Sequence, residues 1–193
     1  MSIFGRLFGR RREEILPPAD LSILGVDVHS HLIPGIDDGA KTMEDTLTLL
    51  AEFQALGYKK VVTTPHVMSD FYKNTPEIIL GGLEKVRSAV KERGLTIEID
   101  AAAEYNLDAD FEPLIDAENV LTFGDNYVLF ELPFIAEPPM LNAIIWKLQT
   151  KGYKPVLAHV ERYEYWHQDW EKIAGLHDRG VLIQLNINSL TGH

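Results

Sequence analysis

Two histidines one residue apart, His29 and His31, follow the apolar run Ile23-Leu24-Gly25-Val26-Asp27-Val28. Imidazole is the commonest metal ligand in proteins, and two rings at the tip of one strand can grip a single ion. Strand side chains repeat with period two, so the spacing predicts that both rings leave the same face. Four more metal-capable side chains stand in comparable places. His66 follows Lys60-Val61-Val62-Thr63-Thr64-Pro65, and Glu104 follows Leu95 to Ala102. Glu131 follows Tyr127-Val128-Leu129-Phe130, and His159 follows Pro155-Val156-Leu157-Ala158. Singly, each has an ordinary reading: a helix cap for His66, surface charge for Glu104, a satisfied core histidine for His159. Glu131 resists such a reading most, because a carboxylate directly behind four apolar residues needs a partner.

The elements that must position these residues alternate. Apolar, β-branched strands at 23–28, 60–64, 95–102, 127–130, 155–158 and 181–187 are separated by helical stretches. Thr42 is a fitting N-cap, with Asp45 three residues on completing a capping box and Gly57 closing the helix. Glu77 to Glu92 carries the helical stripe Ile78, Ile79, Leu83, Val86 and Val90, stopped by Gly94. Pro138-Pro139 opens a helix that runs to Gly152, and Trp170 to Asp178 forms another before Gly180. Residues 105–121 hold at most a short acidic helix. This alternation predicts an α/β fold with parallel strands and crossover helices. In a parallel barrel the C-terminal strand ends surround one mouth, so the six side chains would converge there.

Their chemistry follows from the donor types. Imidazole and carboxylate without sulfur suit Mn²⁺, Fe²⁺ or Zn²⁺. The chain has no cysteine, which excludes disulfides, thiolate metal sites and a cysteine nucleophile. Six ligands exceed what one catalytic ion takes while keeping open positions, so two or more ions sharing a carboxylate are expected. Such a cluster turns a bridging water into hydroxide near neutral pH and holds both the attacking and leaving oxygens. The implied reaction is hydrolysis, most simply of a phosphate monoester. Arg162, three residues after His159, can hold two phosphoryl oxygens in a fork, or can pair with Glu161 or Glu164 at the surface. Asp37 and Asp38 can orient a water or protonate a leaving group, or serve as turn residues. Tyr163, Tyr165 and Trp166 offer either an aromatic rim for a flat substrate or packing beneath a loop.

The whole chain bounds these readings. Its 193 residues suffice for one domain with a real core. A hydrophobic fraction of 46% and a charged fraction of 24% are those of a soluble globular protein. A net charge of −11 argues against a broad nucleic-acid surface, while a metal cluster can still attract a small phosphorylated group. No apolar run approaches the ~20 residues of a membrane span and no signal-peptide core is present, so the cytoplasm is the expected compartment. Residues 1–20 read as a tail ended by Pro17-Pro18. Its Arg6, Arg10, Arg11 and Arg12 set against Phe4, Leu7 and Phe8 make residues 1–14 either a weak membrane-surface patch or a loosely packed extension.

Asp27-Val28-His29-Ser30-His31, Asp37-Asp38-Gly39, Ala158-His159-Val160-Glu161-Arg162-Tyr163 and the surroundings of Glu104 and Glu131 closely resemble the bacterial PHP-superfamily tyrosine-protein phosphatases. These are manganese-dependent enzymes of capsular and extracellular polysaccharide systems, and the resemblance runs over residues 23–193. It implies a distorted parallel β/α barrel of the PHP type over residues 21–193, with two or three metal ions. On that likeness His29 and His31 bind the first ion, Glu104 bridges, and His66, Glu131 and His159 hold the remaining ions. Arg162 matches an arginine that contacts phosphate, and Asp38 an acidic residue beside the site. The implied substrate is phosphotyrosine on the tail of a membrane-associated polysaccharide kinase. The family also has a later Asp-x-His ligand pair, which this sequence, ending at His193, does not contain. The domain is therefore expected to be truncated at its C-terminal end, with open strand edges and a metal centre short of ligands. Two other readings stand beside it: a phosphoesterase of small phosphorylated metabolites, and a non-catalytic partner of a membrane kinase.

Overall fold

The computed structural model of the chain describes residues 22–191. The expected tail over residues 1–20, its membrane-contacting stretch 1–14, and His193 lie outside the described residues. In chain order the elements are β1 (Val26–Val28), α1 (Met43–Ala55), β2 (Lys60–Thr63), β3 (His66–Val67), α2 (Pro76–Arg93), β4 (Glu98–Ala101) and β5 (Glu104–Asn106). They continue with α3 (Phe111–Asp116), β6 (Tyr127–Glu131), α4 (Leu141–Thr150), β7 (Lys154–Leu157), α5 (Trp170–Asp178) and β8 (Leu182–Ile183).

All strand pairs are parallel, in the orders β1-β2-β4 and β3-β5-β6-β7-β8. The two sheets are one curved surface broken twice. Thr64-Pro65 interrupts β2 from β3, and Ala102-Ala103 interrupts β4 from β5. Proline lacks the N–H that would continue a regular ladder. Backbone bonds carry the pairing across the break: Thr64 N donates to Ser30 O at 2.7 Å, Ala102 N to Thr63 O at 2.9 Å, and Glu104 N to Pro65 O at 3.0 Å. Six strand paths thus run side by side, as the sequence predicts, but two of them are bent. β1 and β8 form the edges. Among the described residues no backbone hydrogen bond joins them. A cleft of about 930 Å³ opens between them, with Val26, Val28, Leu185 and Ile187 among its apolar lining.

The helices follow their sequence signals. Thr42 caps α1 with the full capping box: its side chain accepts from Asp45 N, and the Asp45 carboxylate accepts from Thr42 N. Thr75 caps α2, whose buried stripe is Ile79, Leu83, Val86 and Val90. Leu83, Val86 and Val90 of that stripe join Leu47, Leu50, Val61 and Ile99 in one apolar cluster under β1, β2 and β4, while Ile79 packs with the other sheet. A second cluster, around Tyr105, Phe111, Phe130, Leu132, Ile144 and Leu148, backs the other sheet. Apolar packing on the outside of the sheet leaves the strand ends as the place where polar side chains meet.

Candidate metal centre

Glu104 lies at the middle of the polar cluster and is wholly buried. Its Oε2 stands 3.1 Å from His29 Nε2, 3.4 Å from His31 Nε2 and 3.2 Å from His66 Nδ1. Its Oε1 is 2.9 Å from His159 Nε2. Glu131, also buried, brings Oε1 to 3.2 Å from His66 Nδ1 and Oε2 to 3.7 Å from His159 Nε2. All six residues expected to bind metal therefore gather around one point. Donor atoms fall into three overlapping sets, each within 4.8 Å: His29, His31 and Glu104; His66, Glu104 and Glu131; and His31, Asp38 and His66.

The routes by which the side chains arrive differ from simple strand periodicity. β1 ends at Val28, and His29 has a φ of +88°, in the left-handed region that non-glycine residues avoid. His159, just past β7, has a φ of +29°. Both ligand candidates are turned by backbone strain of the kind that clusters at functional sites. His66 and Glu104 do not trail strand ends: they begin β3 and β5, as register partners.

Partners behind the rings fix their orientation. Gln184 Oε1 lies 3.1 Å from His29 Nδ1 and accepts from His159 N at 2.6 Å. An amide oxygen only accepts, so Nδ1 of His29 carries the hydrogen and Nε2 faces Glu104 as a lone pair. Asp37 Oδ2 takes the hydrogen of His31 Nδ1 at 2.7 Å. The same carboxylate accepts from Gly39 N and His66 N, which ties two ligand segments together. Asn74 donates through Nδ2 to both Ile36 O and His66 O. Asp37 thus proves to be a buried orienting group. Asp38 instead points outward, its Oδ1 3.6 Å from His66 Nε2 and 4.0 Å from His31 Nδ1.

Charge and burial act against each other here. Burial alone would raise the Glu104 carboxyl, but the His159, His29 and His31 imidazoles packed around it hold it well below the usual carboxylate range. Burial would lower His31, yet Asp37 and Glu104 push it up to about 10. His66 is raised too, by Glu131 and Glu104 against the effect of burial. Even so, Glu104 Oε2, Glu131 Oε1, His66 Nδ1 and His159 Nδ1 are buried without a hydrogen-bond partner. Three of these four converge within 3.2 Å contacts at unsuitable hydrogen-bond angles. Oxygen and nitrogen lone pairs aimed at a common point fit a shared divalent cation. The donor set, rich in imidazole and carboxylate, suits Mn²⁺, Fe²⁺ or Zn²⁺ alike.

Arg162 ends a 3₁₀ turn, Val160–Arg162, and lines the cleft that also reaches His29, His31 and His159. Among the described residues it makes no ion pair with Glu161 or Glu164. Glu161 instead accepts from Asn186 N and Ser189 Oγ. The guanidinium lies 4.8 Å from the ring centre of Phe134. Of the two readings of Tyr163, Tyr165 and Trp166, packing holds: Tyr163 and Trp166 are buried, and Tyr165 is held through its hydroxyl to Pro133 O. The exposed ring beside the site is Phe134, and Tyr72 stacks on His66 with 5.4 Å between ring centres. Gln184, Asn74, Tyr72 and Phe134 were not singled out by sequence. Only Gln184 had a signal, as a polar residue inside the apolar run Val181 to Leu185.

Residues 25–193 match the family profile described as capsular polysaccharide synthesis, CpsB/CapC. The chain is similar to tyrosine-protein phosphatase YwqE of Bacillus subtilis, 26% identical over 168 residues that cover 86% of this chain and 66% of that protein. It is 30% identical to CapC of Staphylococcus aureus over 169 residues, covering 86% and 66%. Against tyrosine-protein phosphatase CpsB of Streptococcus pneumoniae it is 28% identical over 162 residues, covering 83% and 67%. Among solved structures, one from work on YwqE and CpsB, described there as unique metal-dependent tyrosine phosphatases, matches with a TM-score of 0.77 at 25% identity. That match covers 83% of this chain and 65% of the other. The chain spans about two thirds of the length of the curated relatives it matches, 66% for both YwqE and CapC. No helix among the described residues is long and apolar enough to cross a membrane.

Proposed function

The chain belongs to the CpsB/CapC family of capsular polysaccharide synthesis proteins, and from that premise we propose that it is a metal-dependent protein-tyrosine phosphatase. The observation that carries this reading is the convergence of His29, His31, His66, Glu104, Glu131 and His159, with buried lone pairs on four of them left unpaired. The names of YwqE and CpsB supply the reaction class, and their structural kinship supports the same use of the same kind of site.

His29, His31, His66, Glu104, Glu131 and His159 would hold two or three divalent ions, Mn²⁺ by preference, which would supply a water of lowered pKa and positive charge beside the phosphoryl group. The chain's own residues do the rest. Glu104, kept ionised by its imidazole neighbours, would be the carboxylate shared between ions. His29 and His31 are presented by Gln184 and Asp37, which fix their tautomers. Arg162, free of ion pairs among the described residues and facing the cleft, forks two phosphoryl oxygens and steadies the charge that builds on them. Asp38, at the mouth beside His66, accepts a hydrogen bond from the attacking water and orients it. The substrate is phosphotyrosine on a protein, in keeping with the family the tail of a polysaccharide-system tyrosine kinase.

The test is turnover of a phosphotyrosine peptide with and without added Mn²⁺, with bound metal measured on the same sample. Mn²⁺-dependent release of phosphate is expected, and Arg162→Ala should lower kcat/KM about 10- to 100-fold while leaving metal content near normal. Faster turnover of small sugar phosphates than of the peptide would instead identify a metabolite phosphoesterase. Metal-free protein without turnover, alone and in a longer version of the chain, would defeat the enzyme reading.

A further inference from the structure

A row of rings crosses the mouth of the site. Tyr72 stacks on His66, His66 lies 4.5 Å from His31, His31 5.6 Å from His29, His29 5.2 Å from His159, and His159 5.8 Å from Phe134. Phe134 closes the row at the end where Arg162 sits. It is 46% exposed, whereas Tyr163 and Trp166 behind it are 0% and 3% exposed. An isolated exposed phenylalanine means little. This one touches both the cation expected to hold a phosphoryl group and an imidazole of the cluster.

The two residues leading into it are tied down by hydrogen bonds. Leu132 N donates to the Tyr163 hydroxyl at 2.9 Å, and the Tyr165 hydroxyl donates to Pro133 O at 3.0 Å. Proline at 133 fixes its own φ, which limits the approach to Phe134 further. Two tyrosine hydroxyls thus anchor the segment that presents a single apolar ring at a polar mouth. Such preorganisation suits a ligand surface better than a mobile loop would.

We propose that Phe134 seats the aryl group of the substrate, its ring packing on the phenol ring while Arg162 grips the phosphoryl oxygens. The inference rests on the phosphatase reading and deepens it. In an aryl phosphate the phosphorus stands one oxygen beyond the ring. A ring packed against Phe134 therefore delivers the phosphoryl group toward a guanidinium 4.8 Å from the Phe134 centre. An alkyl phosphate has no ring to place there. Phe134 is thus a specificity-determining residue that separates aryl from alkyl monoesters, and its aromatic contact is worth on the order of three- to tenfold.

The experiment measures calorimetric binding of benzylphosphonate, whose methylene stands where the ester oxygen would be, and of methylphosphonate to the Mn²⁺-loaded protein and to Phe134→Ser and Phe134→Tyr, with bound metal assayed on each. Benzylphosphonate should bind about three- to tenfold more tightly than methylphosphonate to the parent and to Phe134→Tyr. In Phe134→Ser the ratio should fall to near one, with methylphosphonate affinity and metal content unchanged within about twofold. Equal binding of both probes by the parent overturns the inference, as does an unchanged ratio in Phe134→Ser. So does a parallel loss of both probes, which would make Phe134 only a prop for Arg162. Phenyl selectivity that depends on Phe134, in a protein that never turns over phosphotyrosine peptide, upholds the seat and defeats the phosphatase reading. Failure of either phosphonate to bind defeats both.

Discussion

His66 and Glu104 are register partners on adjacent parallel strands, and the atoms they turn toward each other, Nδ1 and Oε2, lie 3.2 Å apart without a hydrogen bond. Two buried polar groups this close and this badly aligned make sense as ligands of a third party. Glu104 also meets three other imidazoles. Glu104→Gln keeps the shape and removes the charge that a pair of cations would share. Bound metal should fall below one ion per chain, and turnover of a phosphotyrosine peptide should drop by about 100-fold or more. Metal content by elemental analysis, read beside the rate, checks this. Full metal occupancy in the variant would remove Glu104 from the bridging role.

Gln184 acts at one remove. Its Oε1 fixes the His29 tautomer and holds the backbone of His159. Gln184→Ala should weaken metal affinity about 10- to 100-fold without unfolding the chain. Gln184→Glu keeps an acceptor at the same place and should recover most of that loss. Titration of Mn²⁺ into chelator-treated protein compares the three forms.

The parts of this site that sequence revealed are those set by strand order. Alternating strands and helices, capping at Thr42 and the six donors at strand ends could be read because each depends on local pattern. At His29 a left-handed backbone, and not the period-two alternation expected of a strand, aims the first ring. Sequence pattern places His66 and Glu104 just past strands. They open new strands, because Thr64-Pro65 and Ala102-Ala103 break the ladder without ending the pairing. Asn74 and Phe134 were invisible, since their roles depend on loops brought together by tertiary packing. Which of the two roles the aromatic tract 163–166 takes is decided by the segment just past β6, where Leu132 N and Pro133 O bond the Tyr163 and Tyr165 hydroxyls.

Gly39 shows how tightly the loop after β1 is built. A Cβ there would lie 2.2 Å from His31 O and 2.3 Å from His31 Cβ, and that carbonyl is already bonded by Ala40 N. Backbone cannot swing away as a flexible side chain would. Gly39→Ala should cost about 3 kcal/mol and displace His31, so metal binding should weaken along with stability. The melting temperature should fall by about 6–12 °C for a domain of this size. Gly81→Ala, in α2 where a Cβ meets nothing within 4 Å, should instead gain about 0.5–1 kcal/mol. Thermal melts of the two variants side by side distinguish a steric effect from a general effect of removing glycine.

Asp27 gives the pH dependence its sign. Its carboxylate Oδ2 is buried without a hydrogen-bond partner. Burial raises the group from 3.8 to about 6, with the nearby His29 pulling the other way. A carboxyl whose folded value lies above its unfolded value binds its proton more tightly in the native state. Its share of stability is therefore complete below about pH 4 and is lost as pH rises through about 6. The loss amounts to about 2 kcal/mol once partial exposure to solvent is allowed for. Asp27→Asn cannot ionise. In chelator-treated protein its urea midpoint should match the parent near pH 4 and exceed it near pH 7.5. Equal midpoints at both pH values would mean that the Asp27 charge is solvated, and that the floor of the cleft between β1 and β8 admits water.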